Sequence, residues 1–183
     1  MFDRMRILII AAVIVVLDQV TKLAIKARFF LGESIDLVGD YLRFTYIENP
    51  GMAFGIRIGG KYFFTIFASI ATLVILYYLY RIRHERFASR LALALILGGA
   101  FGNLIDRYAY GQVIDFIDAG LGDVRWPIFN VADSAVTIGM IMLIAFVLFE
   151  RETPPEKTKM PVFVASEPAP SDENDKWREA RKP

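Results

Sequence analysis

Four stretches of this chain are apolar for long enough to cross a bilayer, and polar segments of unequal length separate them. The first covers about residues 5–26: an unbroken apolar run over 7–17 continues through Asp18, Gln19, Thr21 and Lys22. The second, 62–80, carries no charge, and the fourth, 128–149, has Asn130 and Asp133 near its start. About 20 residues of helix cover the hydrocarbon core, so spans two and four suffice, whereas the third, 91–105, needs its flanking residues. Elsewhere the pattern shortens its period. Alternation over 34–49, as in Tyr41-Leu42-Arg43-Phe44-Thr45-Tyr46-Ile47, predicts strands. The β-branched and aromatic stretches 112–118 and 124–129 predict more of them, together a small sheet resting on the membrane surface.

Composition supports this picture. Hydrophobic residues make up 55% of the 183 positions and charged residues 22%, a balance of polytopic membrane proteins rather than of ordinary soluble domains. A net charge of +1 gives no basic character for nucleic acid. The absence of cysteine excludes disulfides, thiolate metal sites and a cysteine nucleophile. The single histidine, His84, sits among Arg81, Arg83, Arg86 and Arg90 and reads as a solvated loop residue. Arg4 and Arg6 precede the first span as in a signal peptide, but no small-residue cleavage site follows, so this span reads as a retained helix. Residues 153–183, rich in proline and charge, are expected to be a disordered tail, with a short surface helix possible over 176–182.

Loop charge sets the orientation. Residues 81–90 hold four arginines against Glu85, whereas 106–127 hold Arg107 and Arg125 against Asp106, Asp115, Asp118 and Asp123. The positive-inside rule puts the first of these loops, and with it both termini, in the cytoplasm. Segments 27–61 and 106–127 then lie outside. The expected fold is an all-α membrane bundle of four transmembrane helices with a small extracytoplasmic β-sheet, a bundle over 1–150 followed by the tail 151–183.

Within that topology the polar residues sort by depth. Asp18 lies roughly 17 Å along the first helix from Ile7, in the outer half, and shares a face with Lys22 four residues on. Asn103, Asp106 and Arg107 share a face at the outer end of the third helix, as do Asn130 and Asp133 at the outer start of the fourth. Asp115 sits on the connection between them. Interhelical neutralisation is a sufficient reading for Asp18, Lys22, Asp106 and Arg107, and close helix packing for Gly98, Gly99 and Gly102. Asp115 and Asp133 lack a basic neighbour at helical spacing, and an intramembrane carboxylate costs roughly 2.5–3.5 kcal/mol at the bilayer centre. Two such carboxyls on facing elements can share one proton and run acid–base chemistry on a peptide bond. The turn Glu48-Asn49-Pro50-Gly51 either returns the chain to the second helix or points the Asn49 amide at a substrate backbone. A proton-coupled carrier and a structural subunit are the alternatives. The clustering of polar groups at one level and the absence of an evident repeat speak against the carrier.

Five motifs in order across residues 7–149 resemble the lipoprotein signal peptidase (signal peptidase II) family. They are Asp18-Gln19-Val20-Thr21-Lys22, Asn49-Pro50-Gly51-Met52-Ala53-Phe54-Gly55, the run Gly98-Gly99-Ala100-Phe101-Gly102-Asn103-Leu104-Ile105-Asp106-Arg107, Val113-Ile114-Asp115-Phe116, and Phe129-Asn130-Val131-Ala132-Asp133-Ser134-Ala135. Pro50 and Met52 depart from the commoner family pattern. The resemblance implies a bacterial inner-membrane aspartyl endopeptidase with a periplasmic β-cradle. Such an enzyme removes the signal peptide of diacylglyceryl-modified prolipoproteins, cutting before the lipidated cysteine. It assigns Asp115 and Asp133 as the catalytic pair. Asp18, Lys22, Asn49, Gly51, Asn103, Asp106, Arg107 and Asn130 become supporting or substrate-contacting residues. No metal or cofactor is expected, and the expected partners are the lipidated precursors and membrane lipid, with the enzyme a monomer.

Overall fold

The long apolar runs fold as helices in the computed structural model, which describes residues 2–51, 62–82 and 86–149. Helix α1 covers Phe2–Arg28 and is followed by β1 (Ser34–Val38) and β2 (Leu42–Asn49). Then come α2 (Phe63–Arg81), α3 (Phe87–Tyr110), β3 (Val113–Leu121), β4 (Val124–Arg125) and α4 (Val131–Phe149). All four helices are long and apolar enough to cross a membrane. Leu73 and Val74 of α2 and Ile141 and Val147 of α4 stand exposed, and apolar faces of this extent need a cover, which a bilayer supplies. The chain is a multi-pass membrane protein. His84, most of the segment after Gly51 and the tail expected to be disordered lie outside the described residues.

Helix α3 is the hub, packed against α1, α2 and α4 and the most buried of the four. Its small residues make this possible. A Cβ at Gly102 would lie 2.5 Å from Asp18 Oδ2 and 3.3 Å from the Ala132 Cβ, so α1, α3 and α4 meet here at a separation only glycine permits. Ile7 and Ala11 of α1 pack on Ala94 and Leu97 of α3 in one apolar cluster.

The sheet is antiparallel in the order β1-β2-β3-β4, with a register shift in β2 between Phe44 and Ile47. It docks on the helix ends through Ile25 of α1, which is buried with Tyr46, Ile114 and Phe116. Phe129 closes the sheet outside any strand: its N–H donates to Ile117 O at 3.1 Å, and its carbonyl accepts from Ile117 N at 2.7 Å. That bridge delivers Asn130, the next residue, beside β3.

Some boundaries differ from the sequence expectation. Helix α3 runs beyond 91–105 at both ends, because Asp106 and Arg107, which read as its polar limit, are accommodated inside the protein. Helix α4 starts at Val131 rather than 128, since Asn130 takes the capping position. The strand expected over 124–129 is two residues long; Pro127 has no N–H to continue the ladder.

Candidate active site

A lysine inside a membrane bundle must find anions. Lys22 is 1% exposed, and its Nζ lies 2.8 Å from Asp18 Oδ2 and 2.8 Å from Asp106 Oδ2, both carboxylates fully enclosed. The first contact follows from the four-residue spacing on α1; the second joins α1 to α3. Each carboxylate also orders backbone. Asp18 Oδ1 accepts from Ala132 N at the start of α4 (2.9 Å), and Asp106 Oδ2 accepts from Ile114 N in β3 (3.1 Å). Gln19 Nε2 donates to Asp106 Oδ1 at 2.9 Å and to Gly102 O at 3.1 Å. The charged trio therefore fixes where β3 and α4 begin, and through them the two remaining aspartates.

Asn130 and Asp133 form a reciprocal cap at the head of α4. Asp133 N donates to Asn130 Oδ1 at 2.9 Å, and Asn130 N donates to Asp133 Oδ2 at 3.2 Å, the capping-box geometry with Asn and Asp as its two side chains. With its oxygen so engaged, the Asn130 amide must turn its NH2 inward. It donates to Asp115 Oδ1 at 2.6 Å and approaches Asn103 Oδ1 and Ile114 O at 3.1 and 3.2 Å. Reversing this amide would set an oxygen against three acceptors. Asn103 is held in the same way: its oxygen accepts from Lys22 Nζ at 3.0 Å, so its NH2 donates to Asp133 Oδ1 at 2.7 Å.

Asp115, on β3 and 2% exposed, accepts at its other oxygen from Asn49 Nδ2 at 2.9 Å. Asn49 Oδ1 in turn accepts from Gly51 N at 2.9 Å, a side-chain turn across Pro50 that aims the amide at Asp115. Gly51 sits at φ +103°, and a Cβ there would meet the Phe64 ring, so this turn demands glycine. Farther along β2, Tyr46 donates to Glu48 Oε1 at 2.8 Å, while Gln112 donates to Glu48 Oε2. Burial first, and then Glu48, push the Tyr46 hydroxyl up to about 12, so it remains a donor that pins β2 beside Asn49.

The electrostatics single out Asp115. Burial raises its carboxyl from 3.8 to about 7, and the Asp133 charge adds to the rise, against lowering by Asn49, Asn130 and Lys22. Asp115 can thus keep its proton into the neutral range. Arg107 of α3 supplies a cation that acts on Asp133, Asp115 and Asp106, with its Nη1 donating to Asn103 O at 3.3 Å. Basic partners for the two aspartates thus exist through space and not at helical spacing.

Every residue singled out in the sequence falls in this region: Asp18, Lys22, Asn49, Gly51, Asn103, Asp106, Arg107, Asp115, Asn130 and Asp133 are linked directly or through one another. Gln19 belongs to the network without having been assigned a part. Its signal was its position three residues before Lys22, which places both on one helical face. Among the described residues no group of three or more His, Cys, Asp or Glu side chains is arranged to hold a metal ion. Chemically, the arrangement offers two braced carboxyls, one of them able to carry a proton at neutral pH, bridged by a single asparagine.

Residues 10–149 match the sequence model of the family described as signal peptidase (SPase) II. The chain is 40% identical over 151 residues to the lipoprotein signal peptidase of Desulforapulum autotrophicum, covering 80% of this chain and 93% of the relative. It is 42% identical over 142 residues to that of Syntrophus aciditrophicus, covering 75% and 88%. Among solved structures, a bacterial membrane enzyme determined by the in meso method at 2.3 Å resolution superposes with a TM-score of 0.71 at 34% identity. The superposition covers 85% of this chain and 94% of that one.

Proposed function

This chain belongs to the signal peptidase II family, and on that footing we propose that it is an aspartyl endopeptidase that removes signal peptides from diacylglyceryl-modified bacterial prolipoproteins. It cuts the bond N-terminal to the lipidated cysteine, with Asp115 and Asp133 as the catalytic pair. The observation that carries this reading is Asn130, whose side chain donates to Asp115 at 2.6 Å while its backbone N–H donates to Asp133 at 3.2 Å. A single residue thereby sets the spacing of two carboxyls, one of which holds a proton near neutral pH.

In the proposed reaction Asp115 carries the shared proton and hydrogen-bonds to the scissile carbonyl oxygen. Asp133, at the positive end of α4, takes a proton from water as that water attacks the carbonyl carbon, and the Asp115 proton passes to the carbonyl oxygen, giving a diol. The tetrahedral diol then collapses: the proton held by Asp133 passes to the leaving amine, the C–N bond breaks, and the diol returns a proton to the pair. Asn49, Asn103 and Asn130 keep the carboxyls oriented. Lys22, with Asp18 and Asp106, fixes the elements that carry them, and Arg107 balances the negative charge.

The arginine-rich 81–90 segment supports cytoplasmic termini, which puts the sheet and the aspartates at the outer face of the bacterial cytoplasmic membrane. A precursor anchored by its acyl chains would enter from the bilayer, each buried methylene contributing about 0.8 kcal/mol. The enzyme acts as a monomer on these precursors within the membrane lipid.

The test is cleavage by the purified full chain of a diacylated precursor and of the same precursor without lipid, with sequencing of the new N-terminus. Cleavage of the lipidated form alone, directly before the modified cysteine and undiminished by EDTA, is the expected result. Equal cleavage of both forms would refute the substrate assignment, and loss with EDTA restored by zinc would refute water activation by the two aspartates alone.

A further inference from the structure

Away from the aspartates, a cavity of about 350 Å3 opens between the last turns of α1 and the sheet. Ile25 and Arg28 of α1, Phe29 just after it, Leu37 of β1, Phe44 of β2 and Phe116 of β3 are among the residues that line it. Successive side chains of a strand point to opposite faces. Asp115 therefore turns to Asn49 and Asn130, while its neighbour Phe116 turns to Ile25 and this cavity. The cavity is a separate compartment from the site of peptide chemistry.

We propose that the cavity seats one acyl chain of an anionic bilayer phospholipid, whose phosphate pairs with Arg28. Three observations lead there. The lining is mostly apolar, and Ile35 and Leu37 within it stay 47% and 46% exposed, so the protein leaves a greasy wall for something else to cover. The cavity lies against the C-terminal end of a membrane span, the level at which lipid chains meet their headgroups. Arg28 is exposed at that end and forms no ion pair with any described residue. A guanidinium at a helix end reaches the interface, where a phosphodiester is the complementary anion and accepts two parallel hydrogen bonds. A lipid held here would wedge the sheet against α1 through Phe44 and Phe116, whose rings meet edge to face at 5.6 Å.

The experiment reconstitutes the full chain in vesicles of equal parts phosphatidylglycerol and phosphatidylcholine, extracts it in mild detergent and weighs the retained lipid by native mass spectrometry. One retained lipid per chain is expected, with phosphatidylglycerol favoured about fivefold, the factor that one basic side chain gives at an anionic surface. Arg28→Gln should abolish that preference. Ala24→Phe, which fills the cavity from an exposed position on α1, should remove the retained lipid whatever its headgroup. A phosphatidylglycerol bearing a diazirine in its acyl chain should label the peptides containing Ile25 and Phe44. A wild-type chain that retains no lipid, an Ala24→Phe variant that retains as much as wild type, or labelling confined to α2 and α4 would overturn the proposal. Displacement of the lipid by a diacylated precursor would overturn it too, by assigning the cavity to substrate.

Discussion

Replacing Asp115 by asparagine should change the protein's stability by an amount that depends on pH over a modest range. The folded protein raises this carboxyl from 3.8 to about 7, chiefly by burial. Folded chains therefore hold the proton more tightly than unfolded ones, and between these values stability falls as pH rises. The whole effect is about 4 kcal/mol above pH 7, of which somewhat more than half develops between pH 5 and pH 8. The substituted amide cannot ionise and escapes this loss. It brings a separate, pH-independent cost. Asn49 and Asn130 both donate to the Asp115 carboxyl, and an amide offers only one acceptor oxygen, so one donor loses its partner at about 1–3 kcal/mol. Asp115→Asn should thus lie close to or below the wild type at pH 5 and exceed it at pH 8. In thermal unfolding followed by intrinsic fluorescence in detergent, the gap between the two melting temperatures should shift by on the order of 5–10 °C between these pH values. All other titrating groups are common to both proteins, so this double difference isolates Asp115 with its coupling to Asp133. Melting curves that move in parallel from pH 5 to pH 8 would refute the argument.

The same electrostatics predict that kcat/KM for a diacylated precursor declines as pH rises through about 7, where the pair loses its shared proton; a profile flat from pH 6 to pH 8.5 would contradict that. Gly102→Ala sets a Cβ 2.5 Å from Asp18 Oδ2 and should lower stability by about 1–3 kcal/mol, measured as a fall in melting temperature, by driving Asp18 off Ala132 N. Lys22→Met leaves Asp18 and Asp106 buried without their cation and should cost about 3–5 kcal/mol. Adding Asp106→Asn should restore part of that stability, and no recovery would mean that charge is not the cause.

The helices were legible because a bilayer imposes a length and a polarity that few other environments demand. Their ends were not. Asp106 and Arg107 look like the boundary of a span until Lys22, 84 residues earlier than Asp106 in the chain, is placed against Asp106. The Asn130-to-Asp133 spacing carries a local capping signal, and it moved the start of α4 past the apolar residues that seemed to open it in the sequence. In the site, spacing along each helix gave the shared faces and the common depth of Asp18, Asn103, Asp106 and Asn130. What joins them is long-range: Asn103 bridges Lys22 and Asp133, and Asn130 bridges Asp133 and Asp115. No periodicity within one element encodes a contact between three. Which of the two aspartates is raised was equally hidden, since burial of Asp115 among residues distant in the chain raises it.

The central claim is that Asp115 and Asp133 together perform the cleavage, and single-turnover kinetics on a diacylated precursor test it most directly. With wild type, Asp115→Asn and Asp133→Asn in saturating excess over substrate, each variant should still bind the precursor. Each should cleave it slower by about 10²–10⁴-fold, the range for loss of a positioned acid or base. Cleavage by either variant within about tenfold of the wild-type rate, below that range, would contradict the account.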